Sequence, residues 1–452
     1  MQVVARNDQC FLDDGMNIWN QVFMGIEGEN RDMKCIKMII LGAGGRGNFV
    51  YGDYALANPD KAKVVAVAEP DAEKRKIFAR KHQLDEEHIF NSWDQVFKLD
   101  KFADVVCVCT QDRMHVAPAV AAMELGYDII LEKPVAPTAK ECKYLDAMAT
   151  KYGVSVGVAH VLRYTPFFCT IKKALEAGEI GRLRGIQHNE NIGHIHFSHS
   201  FVRGNWRNEE TSSPMILAKS CHDMDILLYL VGKDCTDLAS YGSKGTFSAK
   251  NRPADAPDRC LDGCPHAESC PYYGPRIYLN GNVDWPVNIL TTDCTPSGIT
   301  KALQTGPYGR CVYACDNDMT EQQAVTFRFE DDVTAVFTMS AFTDSTTRTI
   351  KLMGEKGEIR GNMERNEVSI FDFETNQEKV IHIKMEGMAS GHAGGDSNFI
   401  ADFLTHEQDK ALFPLKTSLH LAIQSHLMAF AAHQSMLTNK AVNLQEFAEN
   451  SN

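Results

Sequence analysis

The chain has 452 residues, 44% apolar and 23% charged, the balance of a water-soluble globular protein with material for roughly two or three domains. Its 46 Lys and Arg against 59 Asp and Glu give a formal charge of −13, which repels phosphate backbones and argues against nucleic acid as the main partner. No run of about 18 apolar residues is present, so no membrane span is expected.

Residues 1–33 carry Asp13-Asp14 and the acidic stretch Glu27–Asp32. They lack a basic segment followed by an apolar one, so they do not read as a secretion signal. They are expected to be a loosely ordered extension, or to precede an alternative start at Met33. With no such signal, and with 14 cysteines spread over the chain, the reducing cytoplasm is the expected compartment.

From residue 34 the pattern changes. Ile36–Leu41 reads as a buried strand, followed at once by Gly42-Ala43-Gly44-Gly45-Arg46-Gly47 and then by a helical stretch from Asn48. In strand, G-x-G-x-x-G, helix, Gly42 permits the tight turn. Gly44 lets a pyrophosphate approach the backbone, and Gly47 lets the helix pack closely on the strand. The exposed N–H groups and the dipole of the helix start favour the phosphates, with Gly45 and Arg46 inside the same loop. A second apolar strand, Val64–Ala68, ends at Glu69. A carboxylate there hydrogen-bonds ribose hydroxyls and repels a 2′-phosphate, which favours NAD over NADP.

A strand at Asp104–Cys109 runs into Thr110, and His115 opens a helix to Gly126. Tyr127–Leu131 is another strand, ending in Glu132-Lys133-Pro134. Strand–helix alternation predicts a doubly wound parallel sheet over residues 34–158, with ligands beyond the C-terminal strand ends. Gly42, Glu69, Thr110 and Lys133 all lie at such ends. Further on, His160–Phe167 and Glu179-Ile180-Gly181 are followed by Lys219-Ser220-Cys221-His222-Asp223-Met224-Asp225.

Together, the glycine turn, Glu69, Thr110 with His115, Glu132-Lys133-Pro134 and the His222-x-x-Asp225 helix resemble the glucose-fructose oxidoreductase / inositol dehydrogenase / rhizopine catabolism (Gfo/Idh/MocA) family, over roughly residues 34–436. The resemblance implies a second α/β domain, residues 159–436, with a predominantly antiparallel sheet that binds substrate and carries the interface of a homodimer or homotetramer. Residues 437–452 would be a tail. The chain agrees with such a sheet. Ala324–Phe329 and Val333–Ser340 flank an acidic turn, Thr349–Met353 and Ile359–Gly361 follow, and Leu419–Leu437 reads as a helix.

The resemblance also implies NAD-dependent oxidation of a sugar, polyol or inositol hydroxyl. That chemistry needs a base for the hydroxyl proton and a donor for the developing alkoxide. Lys133 and His222 are the expected pair, with Asp225 on the same helical face to orient the histidine. Inositol dehydrogenase-like members place an aspartate one turn before that histidine. This chain has Ala218 there, with Lys219 beside it as the expected substitute charge. A redox-neutral glycosidase or lyase that recycles NAD through a transient keto-sugar is the alternative, and a non-enzymatic NAD-binding regulator a weaker one. Arg163, Tyr164, His194, Arg203 and Trp206 are expected to read substrate hydroxyls, with His194 and His196 on alternating strand positions.

One segment falls outside this pattern. Cys260, Cys264 and Cys270 lie in an insertion of about residues 251–275, rich in Pro and Asp and poor in apolar periodicity. Three thiols so close suggest a structural zinc holding the insertion, with His266, Cys311 or Cys315 as a fourth ligand. An iron–sulfur cluster and free thiols without metal are the other readings.

Overall fold

The computed structural model describes residues 34–384 and 392–451; the expected N-terminal extension lies outside them. Six strands form a parallel sheet: β1 (Ile36–Leu41), β2 (Ala62–Ala68), β3 (Ile89–Phe90), β4 (Val105–Val108), β5 (Asp128–Leu131) and β6 (Val156–Val158), in the order β3-β2-β1-β4-β5-β6. The direction of winding reverses between β1 and β4, and this switch point opens a crevice at their carboxyl ends.

The strands are apolar on both sides because both faces are covered. Ile39, Leu41, Val106, Ile129 and Leu131 belong to one core with the helices at 116–124 and 139–152. Met38, Ile40, Val64 and Val105 belong to the other, with Tyr51, Phe78, Phe399 and Phe403. The last two come from the helix Gly395–His406, far outside 34–158. That helix lies so close that a Cβ on Gly157 would fall 2.6 Å from the Phe403 ring. The division expected at residue 158 is therefore not a division between cores.

The second sheet has nine strands: β7 (Leu183–Asn191), β8 (Cys235–Ser243), β9 (Gln322–Phe329), β10 (Thr334–Ser340), β11 (Thr347–Gly354), β12 (Gly357–Asn362), β13 (Glu367–Asp372), β14 (Gln377–His382) and β15 (Val442–Asn443). Their order is β14-β13-β12-β11-β7-β10-β9-β8-β15, antiparallel except for the pair β7–β10. Strict alternation of buried and exposed residues along β9 marks a sheet with one packed face. Helices Pro166–Glu176, Cys221–Val231 and Leu419–Thr438 contribute Phe168, Ile171, Leu227 and Met428 to the core that includes Phe327, Phe337 and Leu352. The expected tail is not one: β15 pairs with β8, and the helix Leu444–Asn450 follows, because Val442 and Leu444 have core positions to fill.

The insertion is larger than expected, running over residues 244–321 between β8 and β9. It has a small core of its own: Ile277, Tyr278, Val287, Ile299 and Leu303. Arginines tie its irregular backbone together. Arg203 donates to the carbonyls of Arg310 (2.8 Å) and Tyr272 (2.7 Å), Arg259 to those of Leu303 (2.6 Å) and Gly306, and Arg276 to those of Cys270 (3.0 Å) and Glu268 (2.9 Å). Among the described residues no three His, Cys, Asp or Glu side chains are grouped to hold a metal. The zinc expected on Cys260, Cys264 and Cys270 thus has no preformed site, and Cys260 Sγ instead faces Arg203 Nη2 (3.9 Å) and the Gly274 N–H (3.4 Å). No helix among the described residues is long and apolar enough to cross a membrane.

The contribution of helix 395–406 to the first domain is measurable. Phe403→Ala should lower the free energy of unfolding by about 3–5 kcal/mol in chemical denaturation. A change below about 1 kcal/mol would show that this helix only rests on the sheet.

Candidate active site

The glycine loop has the form a dinucleotide needs. Gly42 has φ +93°, and a Cβ on it would lie 2.7 Å from the Cys109 carbonyl oxygen; a Cβ on Gly47 would lie 2.0 Å from that of Gly42. Neither position accepts a side chain. Over Gly44 and Gly45 a Cβ would meet nothing within 4 Å, so the main chain there is open to a pyrophosphate. Glu69 accepts hydrogen bonds from Ala43 N (2.8 Å) and Asp71 N (2.9 Å). The loop itself thereby fixes this carboxylate at the end of β2, while each oxygen keeps a lone pair for a ribose hydroxyl. Arg75 turns back onto the carbonyls of Glu69 and Pro70.

Arg46 points away from the phosphate ledge. Its Nε lies 2.6 Å from Glu132 Oε1 and its Nη1 2.8 Å from Asp396 Oδ1, and Tyr51 donates to the same Glu132 oxygen at 2.7 Å. Thr110 donates to Met114 O, and the His115 ring lies between the carbonyls of Pro134 (2.7 Å) and Thr110 (3.1 Å). His115 thus braces the end of β4 against the cis Lys133–Pro134 turn. Lys133 extends across the crevice to the second domain, its Nζ donating to the carbonyl of Ala218 at 3.0 Å.

Opposite lies His222, in the first turn of the helix Cys221–Val231. It is buried, and neither ring nitrogen has a partner. Burial, then the charge of Lys133 and the neighbouring His392, holds this imidazole well below its ordinary pKa, so it is neutral. His160 stands 5.9 Å from it and His392 5.5 Å, centroid to centroid. His160 too has no partner on either nitrogen, and burial lowers it to about 4. Unpartnered buried nitrogens are costly, and facing a crevice they are sites for ligand hydroxyls or water. His392 hydrogen-bonds Asp396 (3.1 Å). Although burial raises the Asp396 carboxyl, that bond and Arg46 outweigh it and bring it down to about 2.

Lys219 also reaches this space. Its Nζ is 3.0 Å from Glu190 Oε1; Glu190 is 2.6 Å from Arg348, which holds Asp223 through two bonds, and Asp223 bonds His188 at 2.7 Å. Burial lowers the Lys219 ammonium against the opposing pull of Glu190, and Arg348 and Lys133 lower it further.

The crevice therefore gathers Lys133, Lys219 and His222. It does not gather the other expected residues. Asp225 is held by Arg163 through two 2.6 Å bonds and has no bond to His222, because the guanidinium takes both of its oxygens. Tyr164 donates to Asp402 (2.9 Å), Trp206 to Asp112 (3.1 Å), and Arg203 is spent on the insertion. His194 bonds Thr343 O (3.1 Å). His194–Phe197 is a helical turn rather than a strand, since Gly193 at φ +83° turns the chain out of β7. His196, in the same turn, lies 3.4 Å from Thr346 Oγ1, its imidazole held low by burial and then by the charge of Lys219. Sequence reasoning missed His160, His392 and Asp396. The i, i+4 pair His392–Asp396 was the one available signal.

Two family models match the chain. One is described as an oxidoreductase family with an NAD-binding Rossmann fold, over residues 36–160, and the other as its C-terminal alpha/beta domain, over residues 172–444. A putative oxidoreductase, YteT, of Bacillus subtilis is 23% identical, covering 80% of this chain and 86% of its own length. A scyllo-inositol 2-dehydrogenase (NAD(+)) of the same organism is also 23% identical, covering 62% of this chain and 70% of its own. Among solved structures, a levoglucosan dehydrogenase in complex with NADH and levoglucosan superposes with a TM-score of 0.68 at 18% identity, covering 91% of this chain and all of the other. An Agrobacterium radiobacter oxidoreductase in complex with NAD+, L-tartaric acid and magnesium gives 0.66 at 15%, covering 91% and 99%. With both of its domains matched along most of its length, the chain belongs to the Gfo/Idh/MocA family of NAD-binding oxidoreductases.

Proposed function

We propose that the protein oxidises a secondary hydroxyl of a sugar, polyol or inositol with NAD, using Lys133 and His222. The observation that carries this reading is their juxtaposition: an ammonium at the end of β5 and a buried neutral imidazole with both nitrogens unpartnered, across one crevice. The dehydrogenases among the relatives support it.

The residues of the glycine loop would hold the pyrophosphate, Glu69 the adenosine ribose, and Thr110 and Glu132-Lys133 the nicotinamide end. When bound, NAD supplies the hydride acceptor. The chain does the rest. Lys133 Nζ exchanges the Ala218 carbonyl for the substrate oxygen and stabilises the negative charge that develops there. His222, neutral and close by, takes the hydroxyl proton. His392 lies next to it and is partly exposed, with the buried Asp396 as its partner, so that the proton would have a path outward. Lys219, anchored by Glu190, is a second donor for a neighbouring hydroxyl and replaces the acidic residue absent at Ala218.

The experiment is absorbance at 340 nm with NAD and a panel of inositols, free sugars and glycosides, with substrate consumption followed in parallel. NADH formed in step with substrate loss is expected; substrate loss without NADH would establish the redox-neutral use of the cofactor instead. With an active substrate, Lys133→Ala should reduce kcat by about 10²–10⁴-fold while changing the Kd for NAD, measured by calorimetry, by less than about tenfold. Near-normal turnover would remove Lys133 from the mechanism.

The pH profile follows from the direction of the His222 shift. A base whose pKa is lowered stays deprotonated as pH falls, so the acid limb of kcat/KM should lie below about pH 6.5 and vanish in His222→Asn. A limb at or above 6.5 would assign the base elsewhere. Glu69→Ala should weaken NAD and narrow the preference over NADP; an unchanged preference would show that Glu69 does not read the ribose.

A further inference from the structure

The insertion 244–321 has no part in the chemistry above, yet one of its side chains packs against His196, in the turn that leaves β7. Trp285 lies in the loop between the helices Gly274–Tyr278 and Val287–Leu290. Asn282 holds the loop by donating to Trp285 O (2.9 Å), and Asp284 O accepts from Val287 N (2.7 Å). The indole meets His196 edge to face at 5.0 Å and His199 at 5.5 Å. His199 is itself fixed, bonded to Tyr278 OH (2.9 Å) and stacked on Tyr308 at 4.5 Å and 12°. His196 lies in the turn His194–Phe197 that leaves β7 a few residues after Glu190, the partner of Lys219, and the charges of Lys219 and Lys133 help burial to hold its imidazole low. Through His196, Trp285 is thus joined to the wall of the site that carries Glu190 and Lys219.

The indole is 46% exposed. A rigidly mounted, half-open aromatic side chain at the mouth of a site is a binding surface with little ordering entropy left to lose. Among the described residues the ring contacts of the indole are with His196 and His199 and not with His222, so it stands beside, not within, the place of the ring whose carbinol would meet Lys133 and His222. It would therefore meet a substituent on that ring, not the ring itself. We propose that Trp285, with His196, forms an aromatic wall that binds a second ring of the substrate, so that the enzyme prefers a glycoside or glycosylated sugar to the free monosaccharide. This rests on the sugar oxidoreductase reading.

The test pairs glucose, galactose, mannose and myo-inositol with the corresponding p-nitrophenyl glycosides and with cellobiose, maltose and lactose. Binding to the NAD-loaded protein is measured by calorimetry and turnover at 340 nm. At least one glycoside should bind more tightly than its parent sugar. Trp285→Ala should raise that glycoside's Kd and KM by ~tenfold with little change in kcat, the free sugar responding at least fivefold less, and Trp285→Phe should recover most of the loss. Equal effects on both ligands, no effect, or no glycoside preferred by the wild-type protein would overturn the proposal. So would a change in sedimentation coefficient without a change in Kd, which would assign the exposed Leu279, Val283, Trp285 and Ile289 to a contact between subunits. If no sugar is oxidised, the oxidoreductase reading fails on the turnover arm, and the binding arm still decides the role of Trp285.

Discussion

The guanidinium of Arg46 joins three segments that the sequence holds far apart. It leaves the glycine loop, meets Glu132 at the end of β5 and meets Asp396 at the start of the helix Gly395–His406. Glu132 is one residue before Lys133, and Asp396 is the partner of His392. One cation therefore sets the position of the glycine loop relative to Lys133, and of both relative to His392. Desolvating such a cluster is expensive, and it is tolerated only because every charge is paired. Removing Arg46 would leave two nearly buried carboxylates without their cation, a loss of about 3–5 kcal/mol for a broken buried pair. The helix 395–406 would also lose its tie to the loop, although its apolar face would still pack on the sheet.

A second balanced network stands on the other wall. Lys219 and Arg348 carry two positive charges, and Glu190 and Asp223 two negative ones. Asp223 is held well below the ordinary carboxylate range, because the charge of Arg348 and the bond from His188 outweigh its burial. The two positive and two negative charges of this network balance, and Lys133, outside it, meets the neutral carbonyl of Ala218. The substitution of Ala218 for an acidic residue fits this arrangement. The Ala218 side chain packs in the apolar core of the second domain, where an aspartate would be buried among apolar groups, and the residue meets Lys133 through its main-chain carbonyl. One residue later stands a cation, Lys219, anchored from β7 by Glu190.

How much of this could be read in the chain depends on the range of the interaction. Ile36–Leu41 was legible to the residue, since an apolar run bounded by G-x-G-x-x-G is a local signal. The placement of Glu69 and Lys133 followed for the same reason, each lying at a strand end. Strands β7, β8, β13 and β14 were not legible: β7 reads Leu-Arg-Gly-Ile-Gln-His-Asn-Glu-Asn, and its buried His188 and Glu190 look like solvent-facing positions until Asp223 and Arg348 are brought against them. The polar residues predicted to read hydroxyls failed in the same way. Arg163, Tyr164 and Trp206 have the right chemistry for a sugar, but each had a carboxylate of this protein waiting for it, in Asp225, Asp402 and Asp112. Hydrogen-bonding capacity is visible in a sequence, whereas its allocation is a tertiary property.

The insertion makes the same point in the opposite direction. A segment with little apolar periodicity must be held by something, and three cysteines made metal the obvious agent. The structure holds it with guanidinium groups instead. Arg203 and Arg259 each donate to two main-chain carbonyls and Arg276 to three, oxygens that a loop without ladder partners would otherwise leave unsatisfied. A planar fork with five donors suits this task better than a lysine, because it binds two carbonyls at once in a fixed geometry. A segment so held can present Trp285 in one orientation beside His196 without a strand or long helix beneath it. Arginine thus does here for an irregular backbone what a sheet does for Lys133: it makes position independent of local secondary structure.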